Sequence, residues 1–260
     1  MTAAAAVDVD GKGRTGSVQS IGRAFALLEV MADLGGTAGL SQLAAASGLP
    51  LPTIHRLLHT LIALGYVRQE PSRQYVLGPK LIRLGESSAN MLGVWARPHL
   101  TRLVDELGES ANLAMLDGDQ IVYVAQVQSR HSMRMFTEVG RRAHTHATGV
   151  GKAILAQLDD DTVRGIVTRA GMPTPTAKSI GDVEELLADL KLIRERGYSI
   201  DEEEQELGVR CFAMAVPNAP TPAAISVSGP VSRVDGNFAD KAVPILREAA
   251  EAISRELNRT

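Results

Sequence analysis

Residues 40 to 65 read LSQLAAASGLPLPTIHRLLHTLIALG, which predicts two short helices joined by a tight turn. Gly48 can take the positive φ that such a turn requires. Pro52 fits the first turn of the second helix, where its missing amide hydrogen costs nothing. The apolar residues of that helix recur at helical spacing and predict one buried stripe: Ile54, Leu57, Leu58 and Leu61. The pattern therefore predicts a helix-turn-helix with helices at 40–47 and from 51 onward.

The opposite face of the second helix is polar and carries Thr53, His55, Arg56, His59 and Thr60. All of these side chains can hydrogen-bond to phosphates or to the base edges of DNA. Residues 66–68 and 74–77 predict two strands around a turn at 70–73, which places Arg68 and Arg73 on a basic wing. A winged helix-turn-helix that binds DNA has this pattern. An ordinary helical hairpin with a solvated polar face remains the alternative.

Charge is distributed unevenly along the chain. Residues 17 to 85 contain six Arg and Lys against three Asp and Glu, a net charge of +3. Because the whole chain carries −3, the remainder carries −6. A basic segment beside an acidic remainder is typical of a DNA-binding module joined to a domain that does not bind DNA.

The 260 residues suffice for two domains, and 45% hydrophobic and 22% charged residues are typical of a soluble globular protein. No apolar run approaches the roughly 20 residues that a membrane helix needs. The first 16 residues lack the basic start and apolar core of a secretory signal, so we expect a disordered tail at 1–16. The single cysteine, Cys211, excludes an intrachain disulfide and fits a reducing cytoplasm.

Two further helical regions flank the helix-turn-helix. Residues 18 to 33 predict a scaffold helix with one apolar face: Ile21, Phe25, Leu28 and Ala32. After the wing, a helical linker runs to Leu107, with an interruption at Pro98 and a stop at Gly108. One apolar cluster in this linker is either a dimer contact or packing within the domain: Met91, Leu92, Val94 and Trp95.

From Ala111 the pattern changes to strands mixed with helices. A hairpin is predicted at 111–128, and strands are predicted at 131–140, 208–216 and 223–231. Helices are predicted at 145–158, from 179 to 197, and at the C-terminus to near 257. This order predicts an α+β domain with a mostly antiparallel sheet.

The last two predicted strands suggest a ligand pocket. If the loop from Pro217 to Pro222 closes a symmetric hairpin, Cys211 lies opposite Ser228 and Ala213 lies opposite Ser226. That face is small and rich in hydroxyl groups, as a pocket for a small oxygen-rich molecule requires. Small residues packed beneath a helix are the alternative explanation.

Two other segments offer polar groups to the same domain. The Gly149 and Val150 amides open a helix, where exposed N–H groups bind carboxylate or phosphate well. The segment lacks the spacing of a nucleotide-binding loop, so we expect a small anion there. Asp201 can accept a hydrogen bond from a ligand, whereas the glutamates at 202–204 are expected to be solvated.

Catalysis and metal binding are disfavoured. Cys211 could act as a nucleophile with His144 or His146 as its base, but nothing in the local sequence pairs them. Those three residues and His131 could bind a metal, yet the His-x-His spacing alone is weak support. We therefore expect no catalytic residue, no metal site and no cofactor.

Several ordered blocks of the sequence resemble the IclR family of bacterial transcriptional regulators. Within residues 17 to 256 they are SIGRAFALLEVMA, LPLPTIHRLLHTLIALGYVRQ, YVLGPKLIRLG, HATGVGKAILAQL, RGYSIDEEEQELGVRCFAMAV and AAISVSGPVSR. The resemblance implies a winged helix-turn-helix at 17–79, linker helices at 80–108 and an effector-binding domain with a GAF-like α+β fold at 109–260. It also implies dimers, commonly paired into tetramers, on palindromic operators in double-stranded DNA.

In family members that sense glyoxylate or pyruvate, the ligand meets six positions, which here are Gly149, Val150, Asp201, Cys211, Ser226 and Ser228. The resemblance therefore implies a small 2-oxo acid such as glyoxylate, or a ureide such as allantoin, as the effector. One departure is His144, where the family usually has proline, and it alters the loop over the pocket.

These observations lead to one hypothesis and one alternative. The hypothesis is a cytoplasmic, ligand-responsive repressor of a catabolic operon that contacts DNA through Thr53, His55, Arg56, His59, Arg68 and Arg73. The alternative is a small-molecule sensor or enzyme whose N-terminal module binds protein.

Overall fold

The computed structural model describes residues 18–92, 94–135 and 137–258. Its chain divides into two compact units, Met1–Ser88 and Ala89–Thr260. The predicted disordered tail at 1–16 lies outside the described residues. No described helix is long and apolar enough to cross a membrane.

The described part of the first unit contains three helices, a small sheet and the start of a fourth helix. In chain order its elements are α1 (Gln19–Asp33), β1 (Thr37–Ala38), α2 (Leu40–Ser47), α3 (Leu51–Leu64), β2 (Val67–Gln69), β3 (Tyr75–Leu77) and α4 (Lys80–Leu92). The three strands pair antiparallel in the order β1-β3-β2. The predicted helix-turn-helix and its wing are therefore confirmed as elements.

Packing in this unit follows the predicted stripe of α3. Ile54, Leu57, Leu58 and Leu61 are all buried, as expected from their spacing. They pack against Leu43 of α2 and the inner face of α1. Gly48, between α2 and α3, has a φ of +67°, a conformation that a side chain would strain.

The prediction of which face of α1 is buried is wrong. Ile21 and Phe25 are 55% and 60% exposed, and Ala32 is also exposed. The buried face instead contains Leu27, Leu28 and Met31. Both sets fit helical periodicity and share Leu28, so the spacing alone did not decide which face meets α2 and α3.

The described residues of the second unit form five helices and a six-stranded sheet. A short 3-10 turn (Val94–Ala96) precedes α5 (Arg97–Leu107), β4 (Ser110–Asp117), β5 (Gln120–Val127), β6 (Arg142–His144), α6 (Gly149–Leu155), α7 (Asp160–Ala170), α8 (Val183–Arg196), β7 (Ser199–Glu202), β8 (Val209–Val216), β9 (Ala223–Pro230) and α9 (Phe238–Leu257). The sheet is antiparallel throughout, in the order β6-β5-β4-β9-β8-β7. The α+β prediction is confirmed.

Several finer predictions for this unit differ from the structure. The described residues of the segment 131–140 form no strand. Side chains contact this loop instead: Ser110 Oγ donates to the Met135 carbonyl at 3.0 Å, and Ser129 Oγ accepts from the His131 amide at 3.2 Å. The short strands β6 and β7 and the helix α7 were not predicted.

The helices predicted between the wing and Gly108 are present, and α5 packs in the core of the second unit. Pro98 lies in the first turn of α5, and Gly108 ends that helix with a φ of +80°. Trp95 packs partly buried against the core of the second unit. The side chains of Met91, Leu92 and Val94 lie outside the described residues.

The large sheet has two different faces. Residues such as Leu113, Phe212 and Val227 form one apolar core with α5 and α9. The opposite face packs against α6 and contains smaller residues, among them Cys211 and Ala213. Small side chains on a sheet leave space beside it, so the second face is the one that can hold a ligand.

Candidate functional site

The outer face of α3 is the first candidate surface. Burial of the apolar stripe leaves His55, Arg56 and His59 exposed, whereas Thr53 is half-buried. Arg56 has no acidic partner among the described residues. A helix with free donors on one face and a firm core on the other can enter the DNA major groove.

The wing adds two cations to the same unit. Arg68 pairs with Val76 across β2 and β3, and its side chain is exposed. Arg73 lies in the turn with a φ of +65° and is also exposed. The six residues predicted to contact DNA thus lie on α3 and the β2–β3 hairpin. Exposed guanidinium groups at such a turn suit contacts to phosphates.

The second candidate site begins with the pairing of β8 and β9. Cys211 lies opposite Ser228 and Ala213 lies opposite Ser226, which confirms the predicted register. On the other side of β8, Asp201 of β7 lies opposite Cys211. Three neighbouring strands therefore bring Asp201, Cys211 and Ser228 into one row, and all three residues are buried.

The start of α6 covers this row. A Cβ built on Gly149 would lie only 2.8 Å from Cys211 Sγ, so only glycine permits this approach. Val150 packs in the same buried cluster as Cys211. Thr148 caps the helix, since its Oγ1 accepts from the Gly151 amide at 3.1 Å. The structure thus brings the predicted effector residues together at one place.

Burial keeps the acidic groups of the site protonated to unusually high pH. It raises the pKa of Asp201 to about 7, although the amide of Glu204 donates to its Oδ1 at 2.8 Å. Burial, together with the nearby Asp201 charge, raises the pKa of Cys211 to about 12. Cys211 is therefore a neutral thiol rather than a thiolate nucleophile.

Two polar residues of the site were missed in the sequence. Asn112 of β4 lies opposite Ser226, and its Nδ2 donates to Ser226 Oγ at 3.4 Å. Gln126 Nε2 donates in turn to Asn112 Oδ1 at 3.0 Å. Alternation along 111–128 could have placed Asn112 and Gln126 on one face. Only the β4–β9 pairing places that face beside the serines.

The prediction that all three glutamates at 202–204 are solvated is wrong for Glu204. Glu204 is buried, and its Oε1 accepts from Lys152 Nζ at 2.6 Å. Lys152 is 2% exposed and also donates to Asp189 Oδ2 at 2.9 Å. The two carboxylates raise the pKa of Lys152 against the opposing effect of burial. This ion cluster anchors the loop whose amides hold Asp201.

The four residues weighed as metal ligands are not brought together in the described part of the chain. His144 and His146 lie close, with ring centroids 5.7 Å apart. Cys211 instead meets Gly149, and His131 lies near Gly108. Within the same ranges no three His, Cys, Asp or Glu side chains form a group that could hold a metal ion.

Comparison with protein families identifies both units. The model of the IclR helix-turn-helix domain matches residues 20–71. The model described as bacterial transcriptional regulator IclR, C-terminal, matches residues 88–255.

Similar proteins of known name or structure also carry the IclR name. The transcriptional repressor IclR of Escherichia coli K12 is 38% identical over 91% of this chain and 89% of its own length. The crystal structure of an IclR transcriptional regulator from Alicyclobacillus acidocaldarius is 28% identical, covers 92% of this chain and 98% of that one, and has a TM-score of 0.79. An IclR homologue from Microbacterium hydrocarbonoxydans, complexed with 4-hydroxybenzoate, shares the fold at a TM-score of 0.79 with 22% identity over 93% of this chain and 100% of that one.

Proposed function

The chain belongs to the IclR family of bacterial transcriptional regulators, and we propose that it represses a catabolic operon until a small 2-oxo acid releases it from DNA. The members of this family are regulators rather than enzymes, in keeping with the neutral thiol of Cys211. The observation that carries the proposal is the buried row of Asp201, Cys211 and Ser228, with Gly149 of α6 over it and Ser226 two residues from Ser228 on the same strand. We further propose that dimers, or tetramers made from them, bind a palindromic operator.

DNA binding is assigned to α3 and the wing. Arg56, His55 and His59 of α3 would face the major groove, with Thr53 at the edge of this surface. Arg68 and Arg73 would contact phosphates or the minor groove. Base contacts of this kind are each worth about 1–3 kcal/mol, whereas phosphate contacts act mainly through salt dependence.

Gel-shift or anisotropy titrations with the promoter of the regulated operon test this assignment. Arg56→Ala should weaken binding by about tenfold or more, and Arg68→Ala should lower the salt slope by about one. Arg247→Ala in α9, an exposed arginine of the other unit, should change neither. Unchanged DNA affinity in Arg56→Ala would place the DNA surface elsewhere.

Effector binding is assigned to the row beneath α6. The Gly149 and Val150 amides start a helix, where N–H groups have no partner within the helix, and Ser226 and Ser228 add hydroxyl donors. Together these groups suit a carboxylate. Asp201, with a pKa of about 7, can hold a proton and donate to the adjacent oxo oxygen, or accept from its hydrate.

The nearest buried cation, Lys152, is already neutralised by Asp189 and Glu204. The ligand's charge would therefore be met by neutral donors, which suits a small anion better than a phosphate ester. Binding would release DNA because the ligand favours the state that binds DNA less well.

Calorimetric titration of the whole protein with glyoxylate, pyruvate, allantoin and 4-hydroxybenzoate tests the ligand class. The Microbacterium homologue is complexed with the last of these, so an aromatic acid is a necessary comparison. We expect the 2-oxo acids to bind most tightly and Ser228→Ala to weaken them. If Ser228→Ala and Cys211→Ala both leave their affinity unchanged, the assigned site is wrong.

A further inference from the structure

A cavity lies beside the edge strand β6. Its volume is about 310 Å³, and its wall includes Arg141, His144, Pro173 and Gln205. Ligand pockets in proteins range from roughly 300 to 1,000 Å³, so this space can hold part of a small ligand. None of these four residues belongs to the row around Cys211.

The cavity adjoins that row through two backbone connections. Gln205 lines the cavity, and its amide donates to Oδ1 of Asp201 in the row at 3.4 Å. The carbonyl of His144 accepts from Thr148 Oγ1 at 3.2 Å, and Thr148 caps the helix that starts at Gly149. The cavity and the Cys211 row are therefore neighbouring parts of one region.

Tyr123 lies near both parts. Its side chain packs partly buried against the cluster that contains Cys211. Its amide donates to the Arg141 carbonyl at 3.0 Å. Burial, together with Cys211 and Asp201, raises the pKa of Tyr123, and the charge of Arg141 opposes this rise.

Arg141 is a cation without a counterion. Within the residues that the structure describes, its guanidinium takes part in no ion pair or hydrogen bond, although it lines the cavity. The neighbouring Arg142 differs, because its guanidinium is bound to Asp117 and Gln120. An unpaired guanidinium beside a cavity is a ready partner for a carboxylate, which it can bind with two parallel hydrogen bonds.

Unsatisfied polar atoms line the same segment. His144 Nδ1, Thr145 Oγ1 and His146 Nδ1 are buried without a hydrogen-bond partner in the described structure. These three atoms are closed to solvent, so a ligand in the cavity does not reach them. The His144 side chain is half-buried and also lines the cavity, beside Arg141.

We infer that this cavity receives the far end of the effector and that this end carries a second carboxylate, bound by Arg141 with His144 beside it. The inference rests on the proposed function, since the near carboxylate would lie at Gly149 and the serines. The effector is then a 2-oxo dicarboxylic acid rather than glyoxylate or pyruvate. Those shorter acids would fill the Cys211 row and leave Arg141 unpaired.

Matched ligand pairs isolate the second carboxylate. Calorimetry with the whole protein compares oxaloacetate with 2-oxobutyrate and 2-oxoglutarate with 2-oxopentanoate, which differ only at the far end. In at least one pair, the dicarboxylate should bind about tenfold more tightly or better, as a charge-assisted bidentate contact implies. Arg141→Ala should abolish this preference and leave the affinity for the monocarboxylate within about twofold.

Two control variants complete the experiment. Arg141→Lys keeps the charge and should retain part of the preference, whereas Arg247→Ala should retain all of it. Because the Arg141 side chain is exposed and unpaired, its replacement should leave the thermal unfolding midpoint unchanged.

Equal affinity for both members of each pair, or an equal loss for both in Arg141→Ala, would overturn the inference while the proposed function stands. Failure of every 2-oxo acid, including pyruvate and glyoxylate, would overturn both.

Discussion

Lys152 is a buried charge held by two carboxylates, and its replacement by methionine should destabilise the second unit strongly. Its side chain is 2% exposed, with Nζ at 2.6 Å from Glu204 and 2.9 Å from Asp189. Methionine fills a similar volume, so the main effect is that the buried Glu204 carboxylate loses its cation, while Asp189 keeps only Arg196 at 3.8 Å. Breaking a buried pair in this way costs about 3–5 kcal/mol.

Urea unfolding followed by tryptophan fluorescence measures this cost. Trp95 is the single tryptophan and packs against the core of the second unit, so it reports that unit. With a slope of about 1–3 kcal/mol per molar urea, the midpoint should fall by roughly 1–5 M. Lys191→Met on the exposed face of α8 makes the same chemical change and should cost less than about 0.5 kcal/mol.

The free-energy coupling between Lys152 and Glu204 gives a second test of the same ion cluster. Glu204→Gln should cost less free energy of unfolding in the Lys152→Met background than in the natural chain, because the carboxylate has already lost its cation. A midpoint for Lys152→Met no lower than for Lys191→Met would refute the assignment of Lys152 as the anchor of this loop. Additive costs of the two substitutions would refute the coupling.

Three further predictions concern the row beneath α6. Gly149→Ala should displace Cys211 and weaken 2-oxo acid binding measured by calorimetry, whereas Gly85→Ala, in open space on α4, should leave it unchanged. Folding raises the pKa of Asp201 from 3.8 to about 7. Between these two pH values the carboxyl is protonated in the folded protein and ionised in the unfolded chain, so the free energy of unfolding falls as the pH rises. The unfolding free energy of Asp201→Asn should therefore decline less between pH 4 and 7, and parallel pH profiles would contradict the shift. With a pKa of about 12, Cys211 should resist a thiol reagent at pH 8 in the folded protein and react fully in urea, and rapid reaction of the folded protein would disprove its burial.

The sequence was sufficient where the determining interactions are local. The helices at 40–47 and from 51 follow from Gly48, Pro52 and a four-residue apolar stripe, and all of these lie within one short segment. The pairing of Cys211 with Ser228 was also predictable, because a short loop fixes the register of the strands it joins. The core of the effector site could thus be predicted from one hairpin.

The sequence was insufficient where distant segments meet. Asn112 joins the site only because β4 pairs with β9. Its partner Ser226 lies 114 residues later in the chain. Glu204 was expected in solvent because its partner Lys152 lies 52 residues earlier and is itself buried. On α1, two overlapping apolar stripes shared Leu28, and only the packing of α2 and α3 selects one.

We propose that a ligand in the row around Cys211 controls DNA binding by α3. The anisotropy of labelled operator DNA tests this with the natural protein and with a Ser226→Ala/Ser228→Ala variant, each titrated with the tightest-binding 2-oxo acid. We expect equal DNA affinity without ligand and release of DNA from the variant only at about tenfold higher ligand concentration or more, because two hydrogen bonds to the ligand are lost. Release of DNA from both proteins at the same ligand concentration would show that this row does not control DNA binding.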